Sequence, residues 1–331
     1  MDTPHSTSSS PLQETFGRLR AELGQTIIGQ QHLVDCLLIA LLADGHLLVE
    51  GAPGLAKTTA VKALASQIEA DFHRVQFTPD LLPADLTGTD IFRPQSGSFE
   101  FEYGPLFHNI VLADEINRAP AKVQSALLEA MAERQITVGS HTRPLPELFM
   151  VMATQNPIEQ EGTFSLPEAQ LDRFVMHVTI GYPSAGAELA ILRLAREQAR
   201  HKPQAAAPKR HLLTQADVLQ AREAVLDVHM APALEEYLTQ LVLATRDAGK
   251  YGADLGRWIA WGGSPRATIA LDRCARAHAW LSGRDYCLPD DVQAVAGEVL
   301  RHRVLLSYEA EAEGVRSDQV IARLLDLVPL P

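Results

Sequence analysis

Gly51-Ala52-Pro53-Gly54-Leu55-Ala56-Lys57-Thr58 sets a glycine-rich turn directly before a lysine and a hydroxyl residue. That combination binds phosphate. Glycines let backbone N–H groups turn inward around an anion, and the N-terminus of a following helix adds its dipole. A lysine at this spacing reaches the β- and γ-phosphates of a nucleotide, and the next hydroxyl ligates Mg²⁺. Gly51, Pro53, Gly54, Leu55, Ala56, Lys57, Thr58 and Thr59 are the expected nucleotide contacts. The pattern ordinarily has glycine before the lysine, where this chain has Ala56. A Cβ at that point is expected to require a negative φ. The bland alternative is a chance turn ahead of a helix.

A second constellation follows. Ile110-Val111-Leu112-Ala113 is an apolar strand ending in Asp114 and Glu115. In parallel sheets, ligands bind beyond the carboxyl ends of strands. Asp114 would hold Mg²⁺ through water, and Glu115 would orient and polarise an attacking water. Asn156 follows another apolar strand, and its amide could hold that water or the γ-phosphate; a turn Asn before Pro157 is the alternative. In Leu171-Asp172-Arg173-Phe174, Arg173 opens a strand, and its guanidinium could stabilise charge on a transferring phosphoryl group, unless it is a surface Arg paired with Asp172. Ser264-Pro265-Arg266 reads as a helix start, Ser as N-cap and Pro at the first position. Arg266 could reach the phosphates from there, or be a solvated helix Arg.

The elements that must position these groups alternate. Leu12, Phe16, Leu19 and Leu23 predict a first amphipathic helix, broken at Ile27-Ile28-Gly29-Gln30, and Val34 to Leu42 a second, largely buried one. Strands are expected at 46–50, 72–77, 109–113, 148–153 and 174–180, with a loop over 78–88. Hairpins are expected over 89–103 and 136–145. Phe99, Phe101 and Tyr103 alternate with acids, and packing is the expected use of that row. After Tyr182-Pro183 no strand is expected. Helices follow at 189–194, 234–242, 267–281, 290–300 and 319–327, with Trp258 and Trp261 in their core. The fold class is α/β: a mostly parallel sheet sandwiched by helices, with hairpin inserts, then an all-α C-terminal lid. The expected divisions are a disordered tail over 1–10, a core over 11–183, a linker with a first lid-side helix over 184–211, and the lid over 212–331.

Composition bounds the rest. At 331 residues with 46% apolar content, two domains with a real core are natural. Twenty-nine basic against 41 acidic residues give a net charge of −12, which argues against a general nucleic-acid surface. Three cysteines without CxxC spacing suggest a reducing compartment and no metal site built on them. Residues 1–10 lack the basic start and apolar core of a secretory signal. The longest apolar run, Cys36 to Ala43, is too short to cross a bilayer. A cytoplasmic protein without membrane insertion is expected.

Several motifs together carry a resemblance. The runs 51–58, Phe77-Thr-Pro-Asp-Leu-Leu-Pro83, Ala113-Asp-Glu-Ile-Asn-Arg-Ala119 and Gln124-Ser-Ala-Leu-Leu-Glu-Ala130 resemble the MoxR family of AAA+ ATPases. So do Ala153-Thr-Gln-Asn-Pro157, Glu168-Ala-Gln-Leu-Asp-Arg-Phe174 and Gly263-Ser-Pro-Arg-Ala267. Ala before the lysine is familiar there. The resemblance implies ATP and Mg²⁺ as cofactors, with Lys57 and Thr58 in Walker A, and Asp114 and Glu115 in Walker B. It implies Asn156 as first sensor, Arg173 as arginine finger, Arg266 as second sensor, and Ile28 and Gly29 near the adenine. It also implies a hexameric ring with nucleotide between subunits, and both hairpins facing the pore or a partner. A partner bearing a von Willebrand factor A domain and a client complex to remodel belong to the same expectation. The other classes are a nucleic-acid motor resembling minichromosome maintenance helicases, a magnesium-chelatase-like motor subunit, and a nucleotide-gated scaffold. For the first of these the second hairpin offers only His141 and Arg143 as basic groups.

Overall fold

A computed structural model describes residues 10–156, 163–200 and 211–331. The tail expected over 1–10 lies almost wholly outside the described residues, as do 201–210 of the expected linker and Pro157.

The chain opens with α1 (Pro11–Thr26), whose Ser10 hydroxyl accepts the Gln13 N–H at 3.2 Å while the Gln13 side chain accepts the Ser10 N–H at 2.8 Å. Then come α2 (Gln31–Leu42), β1 (Leu47–Gly51), α3 (Lys57–Gln67) and β2 (Phe72–Gln76). The expected loop before the first hairpin contains a short helix, α4 (Pro83–Thr87), started by Pro83 and by Asp85 accepting the Leu82 N–H. The hairpin is β3 (Gly88–Arg93) and β4 (Ser98–Tyr103). Next are β5 (Ile110–Asp114), α5 (Ala121–Glu133), the second hairpin of β6 (Gln135–Val138) and β7 (His141–Pro144), and β8 (Met150–Gln155). A four-residue helix, α6 (Glu168–Leu171), precedes β9 (Met176–Ile180).

The five strands form one parallel sheet in the order β2-β5-β8-β1-β9. Its inner strands β5, β8 and β1 are apolar on both sides, whereas the edge strand β2 carries His73, Arg74 and Gln76. Leu47, Val49, Ile110, Leu112, Met150 and Met152 pack into one cluster with α1, α2 and α3. Leu48, Val111, Ala113, Val151 and Ala153 pack into the other, against α5. Helices on both faces explain why these strands read as continuous apolar runs.

Beyond β9 come α7 (Ala185–Arg200), α8 (Gln215–Leu226), α9 (Pro232–Arg246), α10 (Ala253–Trp258), β10 (Ile259–Trp261), α11 (Pro265–Leu281), α12 (Pro289–Leu300), β11 (Leu305–Leu306), α13 (Tyr308–Ala312) and α14 (Ser317–Leu327). The sequence predicts no strand here, yet β10 and β11 pair antiparallel. Strands of three and two residues are too short to show a period of two. The first apolar cluster runs without a break from the sheet into these helices. Phe16 of α1 meets Trp280 of α11 edge to face at 5.2 Å. Among the described residues no helix is long and apolar enough to cross a membrane.

Three sequence expectations are corrected. Trp258 packs against the core, but Trp261 is 73% exposed at the end of its ribbon. The aromatic row of the first hairpin packs only in part: Phe101 is half-buried and meets Tyr103 and Phe107 edge to face at 5.1 and 6.0 Å, whereas Phe99 is 70% exposed and contacts Phe92 at a tilt at 5.3 Å. Arg143 of the second hairpin and Phe107 cover the ribbon near Phe101, while its tip, where Phe92 and Phe99 lie, has no second layer over it. Finally, Ala56 has φ 60° and ψ 14°, the left-handed region, not the negative φ expected. The turn into α3 demands that conformation, and the alanine accepts it at a cost of about 1–2 kcal/mol.

Two expected outcomes follow from this framework. Ala56→Gly relieves the left-handed strain and is expected to raise stability by about 0.5–1 kcal/mol after the extra chain entropy of glycine, while Ala56→Val lowers it. An unchanged or lower urea midpoint for the glycine variant would contradict the strain. The second concerns His46, buried against Phe149, its Nδ1 accepting the Val151 N–H at 3.0 Å and its Nε2 facing the Met131 carbonyl at 3.3 Å. Burial first, and Arg134 second, pull its pKa down to about 4. The unfolded chain therefore takes up the proton first as pH falls. His46's contribution is complete above about pH 6.5 and is lost towards pH 4, about 3 kcal/mol in all. Urea midpoints between pH 7 and 4.5 should fall less steeply in His46→Gln, and an identical slope would refute this.

Candidate functional site

Strand order brings the chemistry together. β8 lies between β5 and β1, with Ala113 level with Ala153 and Val49 level with Thr154. The phosphate-loop segment, the acids and Asn156 therefore leave the same edge of the sheet. They line a cleft of about 540 Å³. Of the expected nucleotide contacts, Ile28, Pro53, Gly54, Leu55, Ala56, Lys57, Thr58 and Thr59 line it, with Asp114, Glu115 and Asn156. Gly51 and Gly29 stand behind the wall. The Gly51 carbonyl accepts from Lys57 Nζ at 2.6 Å. Gly29 has φ 79°, and a Cβ there would lie 2.7 Å from the Ala187 Cβ, so this glycine lets the α1–α2 turn approach α7. Ile191, Leu194 and Ala195 of α7 form an apolar wall opposite the loop.

Lys57 is the first residue of α3, and its ammonium also reaches the Gln155 carbonyl at 3.3 Å. Burial pulls its pKa below the usual lysine value, and the charges of Asp114, Glu115 and Glu50 pull it back. The first N–H groups of α3 have no intrahelical acceptor and can receive an anion.

The acids are held by residues the sequence reading missed. Thr154 donates to Asp114 Oδ1 at 2.6 Å and accepts the Glu115 N–H at 2.9 Å. Arg74 donates to Asp114 Oδ2 through Nε at 3.0 Å and Nη2 at 2.7 Å. Gln76 Nε2 donates to Glu115 Oε2 at 2.7 Å, and Arg118 Nη1 donates to the same oxygen at 2.9 Å. Glu115 sits in the left-handed region at φ 59°, which turns its side chain out of the strand direction. A signal for Thr154 existed, a hydroxyl inside an otherwise apolar strand, since such a group needs a buried partner. Arg74 and Gln76 sit two apart on a strand, so they share a face, but only the β2–β5 pairing puts that face beside the acids.

Thr58 and Asp114 supply hard oxygen donors, which suits Mg²⁺. Among the described residues no group of three or more His, Cys, Asp or Glu could hold a metal, so such an ion would complete its shell with water and phosphate, as Mg²⁺ prefers.

Arg173 and Arg266 are elsewhere. Both line a second cavity of about 330 Å³ with Arg134, Arg273 and Arg303, against Asp44 and Asp172. Asp44, Gly45 and His46 precede the amino end of β1, while the phosphate loop follows its carboxyl end. Five residues of strand, about 16 Å, separate the two cavities. Arg173 donates to the Leu128 carbonyl at 3.1 Å and is not the partner of Asp172. That carboxylate takes Arg303 at 2.7 Å and the Ser264 hydroxyl at 2.8 Å. Ser264 does cap α11, accepting the Arg266 N–H at 3.1 Å. Its bond to Asp172 docks the start of α11 beside Arg173, which is why Arg266 does not reach the phosphate loop of its own chain.

The sequence matches the model of the ATPase family associated with various cellular activities (AAA) over residues 46–176, and the AAA lid domain over 257–324. It is 44% identical to Chaperone MoxR1 of Mycobacterium tuberculosis, an alignment covering 99% of this chain and 89% of that one. It is 35% identical to Protein MoxR of Paracoccus denitrificans, covering 96% of each. A solved structure of a Cytophaga hutchinsonii protein superposes with a TM-score of 0.89 at 44% identity, covering 97% of this chain and 96% of that one. With the cleft, the parallel sheet and the helical C-terminal region in place, the chain belongs to the MoxR family of AAA+ ATPases.

Proposed function

We propose that this chain is a ring-forming motor that hydrolyses ATP with Mg²⁺ and uses the cycle to remodel, mature or activate a partner protein complex. One observation carries it: Lys57, Thr58, Asp114, Glu115 and Asn156 converge on one cleft, while Arg173 and Arg266 are held at the other end of the sheet. A complete phosphoryl-transfer site then needs a second copy. In this reading the core runs over 11–183, the linker over 184–211 and the lid over 212–331.

The roles follow from the chemistry. Lys57 and the α3 N-terminus hold the phosphates. Bound Mg²⁺, on Thr58 and through water on Asp114, would neutralise charge on the β- and γ-oxygens. Glu115 orients the attacking water, and Asn156 positions it or the γ-phosphate. Arg173 and Arg266 of the adjacent copy meet the charge that develops in the transition state. The excess of arginine in the second cavity suits that use. A hexamer in the cytoplasm, a partner with a von Willebrand factor A domain and a client complex complete the reading. The word chaperone in the name of the mycobacterial relative supports a protein client. Nucleic acid is not expected as a substrate. Arg143 lies over the Phe101 ring at 3.7 Å and 3.9 Å from Asp90, so one of the two basic groups of the second hairpin is already engaged.

The test uses two variants. Glu115→Gln should keep ATP affinity and lose turnover by about 100-fold or more. Arg173→Ala should lose turnover by about 10³-fold, and recover part of it in mixed rings with Glu115→Gln. Normal turnover in the first variant would refute the role of Glu115. Absence of recovery at every mixing ratio would refute action between copies.

A further inference from the structure

The outer oxygen of Asp114 is already occupied by a cation. Oδ1 is tied into the sheet by the Thr154 hydroxyl at 2.6 Å. Oδ2 faces the cleft and takes two N–H groups of Arg74, at 3.0 and 2.7 Å. The Asp114 side chain is only 11% exposed and that of Arg74 is 45% exposed, so the guanidinium is the more accessible partner and covers the acid. Both line the cleft. Arg74 Nη2 also donates to Gln76 Oε1 at 2.9 Å, and Gln76 in turn donates to Glu115. One arginine therefore engages the first acid directly and the second through an amide.

A divalent cation approaching Asp114 meets a carboxylate whose charge is already matched. It must displace the guanidinium from Oδ2 or settle beside a full positive charge. Phosphate changes that balance. Its oxygens accept a guanidinium at least as well as a carboxylate does, and in the same forked geometry. We propose that Arg74 is a latch on the metal site: it closes on Asp114 while the cleft lacks phosphate and moves to the phosphate oxygens when a nucleoside polyphosphate enters. Mg²⁺ is thereby admitted with the polyphosphate and not alone. This inference rests on the reading of the cleft as a metal–nucleotide site.

The test is binding, on the full chain, with Arg74→Met and the conservative Arg74→Lys. Mn²⁺ alone is titrated and free ion read by electron paramagnetic resonance. Affinity for the slowly hydrolysed analogue ATPγS is measured with Mn²⁺ present. Arg74→Met is expected to bind Mn²⁺ alone about tenfold more tightly than the unaltered chain, and metal–ATPγS about tenfold more weakly. Arg74→Lys, which keeps the charge but not the fork, should fall between on both scales. The opposite signs matter, because a variant that merely loosened β2 would weaken both. Mn²⁺ binding that is equal or weaker in Arg74→Met, including none in either protein, overturns the latch. Failure of the unaltered chain to bind ATPγS with Mn²⁺ overturns instead the nucleotide reading beneath it, and the latch with it.

Discussion

The adjacency of β5, β8 and β1 is the constraint on which the rest of the site depends. β8 comes after β5 in the chain, yet it lies between β5 and β1, paired in parallel with both. All three strands therefore end at one edge, and their three continuations face one volume. The phosphate loop leaves β1, Asp114 and Glu115 end β5, and Asn156 follows β8. Thr154 joins two of these ends, since its hydroxyl both donates to Asp114 and accepts from Glu115. Two left-handed residues complete the arrangement: Glu115 bends the chain directly after β5, and Ala56 turns the phosphate loop into α3. Such strain persists only where the surrounding structure fixes it.

The opposite end of the sheet is organised by a different contact. Arg303, after α12, is almost fully buried. It donates to the Asp172 carboxylate at 2.7 Å and to the carbonyls of Asp172, Phe174, Val175 and Val299 at 3.3, 2.7, 3.2 and 2.5 Å. All its donors are used, and burial lowers its pKa against the pull of Asp172. His302 adds a bond to the Phe174 carbonyl at 3.0 Å. The C-terminal helices thus grip the segment that carries Arg173, and through Ser264 they bring Arg266 to the same place. Removing one partner of a buried pair of this kind costs about 3–5 kcal/mol.

Much of this was legible in the chain. Apolar runs marked the inner strands β5, β8 and β1, because strands covered on both faces must be apolar at consecutive positions, whereas β2 was legible from its β-branched and aromatic residues despite its polar members. The phosphate loop and the acids were legible because each stands at the end of such a run. Ser264-Pro265 announced its helix through capping chemistry alone. What was not legible depends on pairing across the chain. Arg74 and Gln76 look like ordinary exposed positions on an edge strand until β2 is set against β5. Arg266 could be placed at a helix start, but its neighbour Asp172 lies 94 positions away, and only tertiary packing decides which cavity that helix faces. The left-handed φ of Ala56 was hidden for a simpler reason: side-chain type limits conformation only statistically, and packing overrode it.

The central claim is that one copy supplies the cleft and another the arginines. Turnover per chain, measured at saturating Mg²⁺ and ATP while the protein is diluted and its mass is followed by sedimentation, tests it most directly. The account predicts that turnover per chain falls together with the loss of the assembled species. A monomer that hydrolyses ATP at the same rate per chain as the assembly would contradict it.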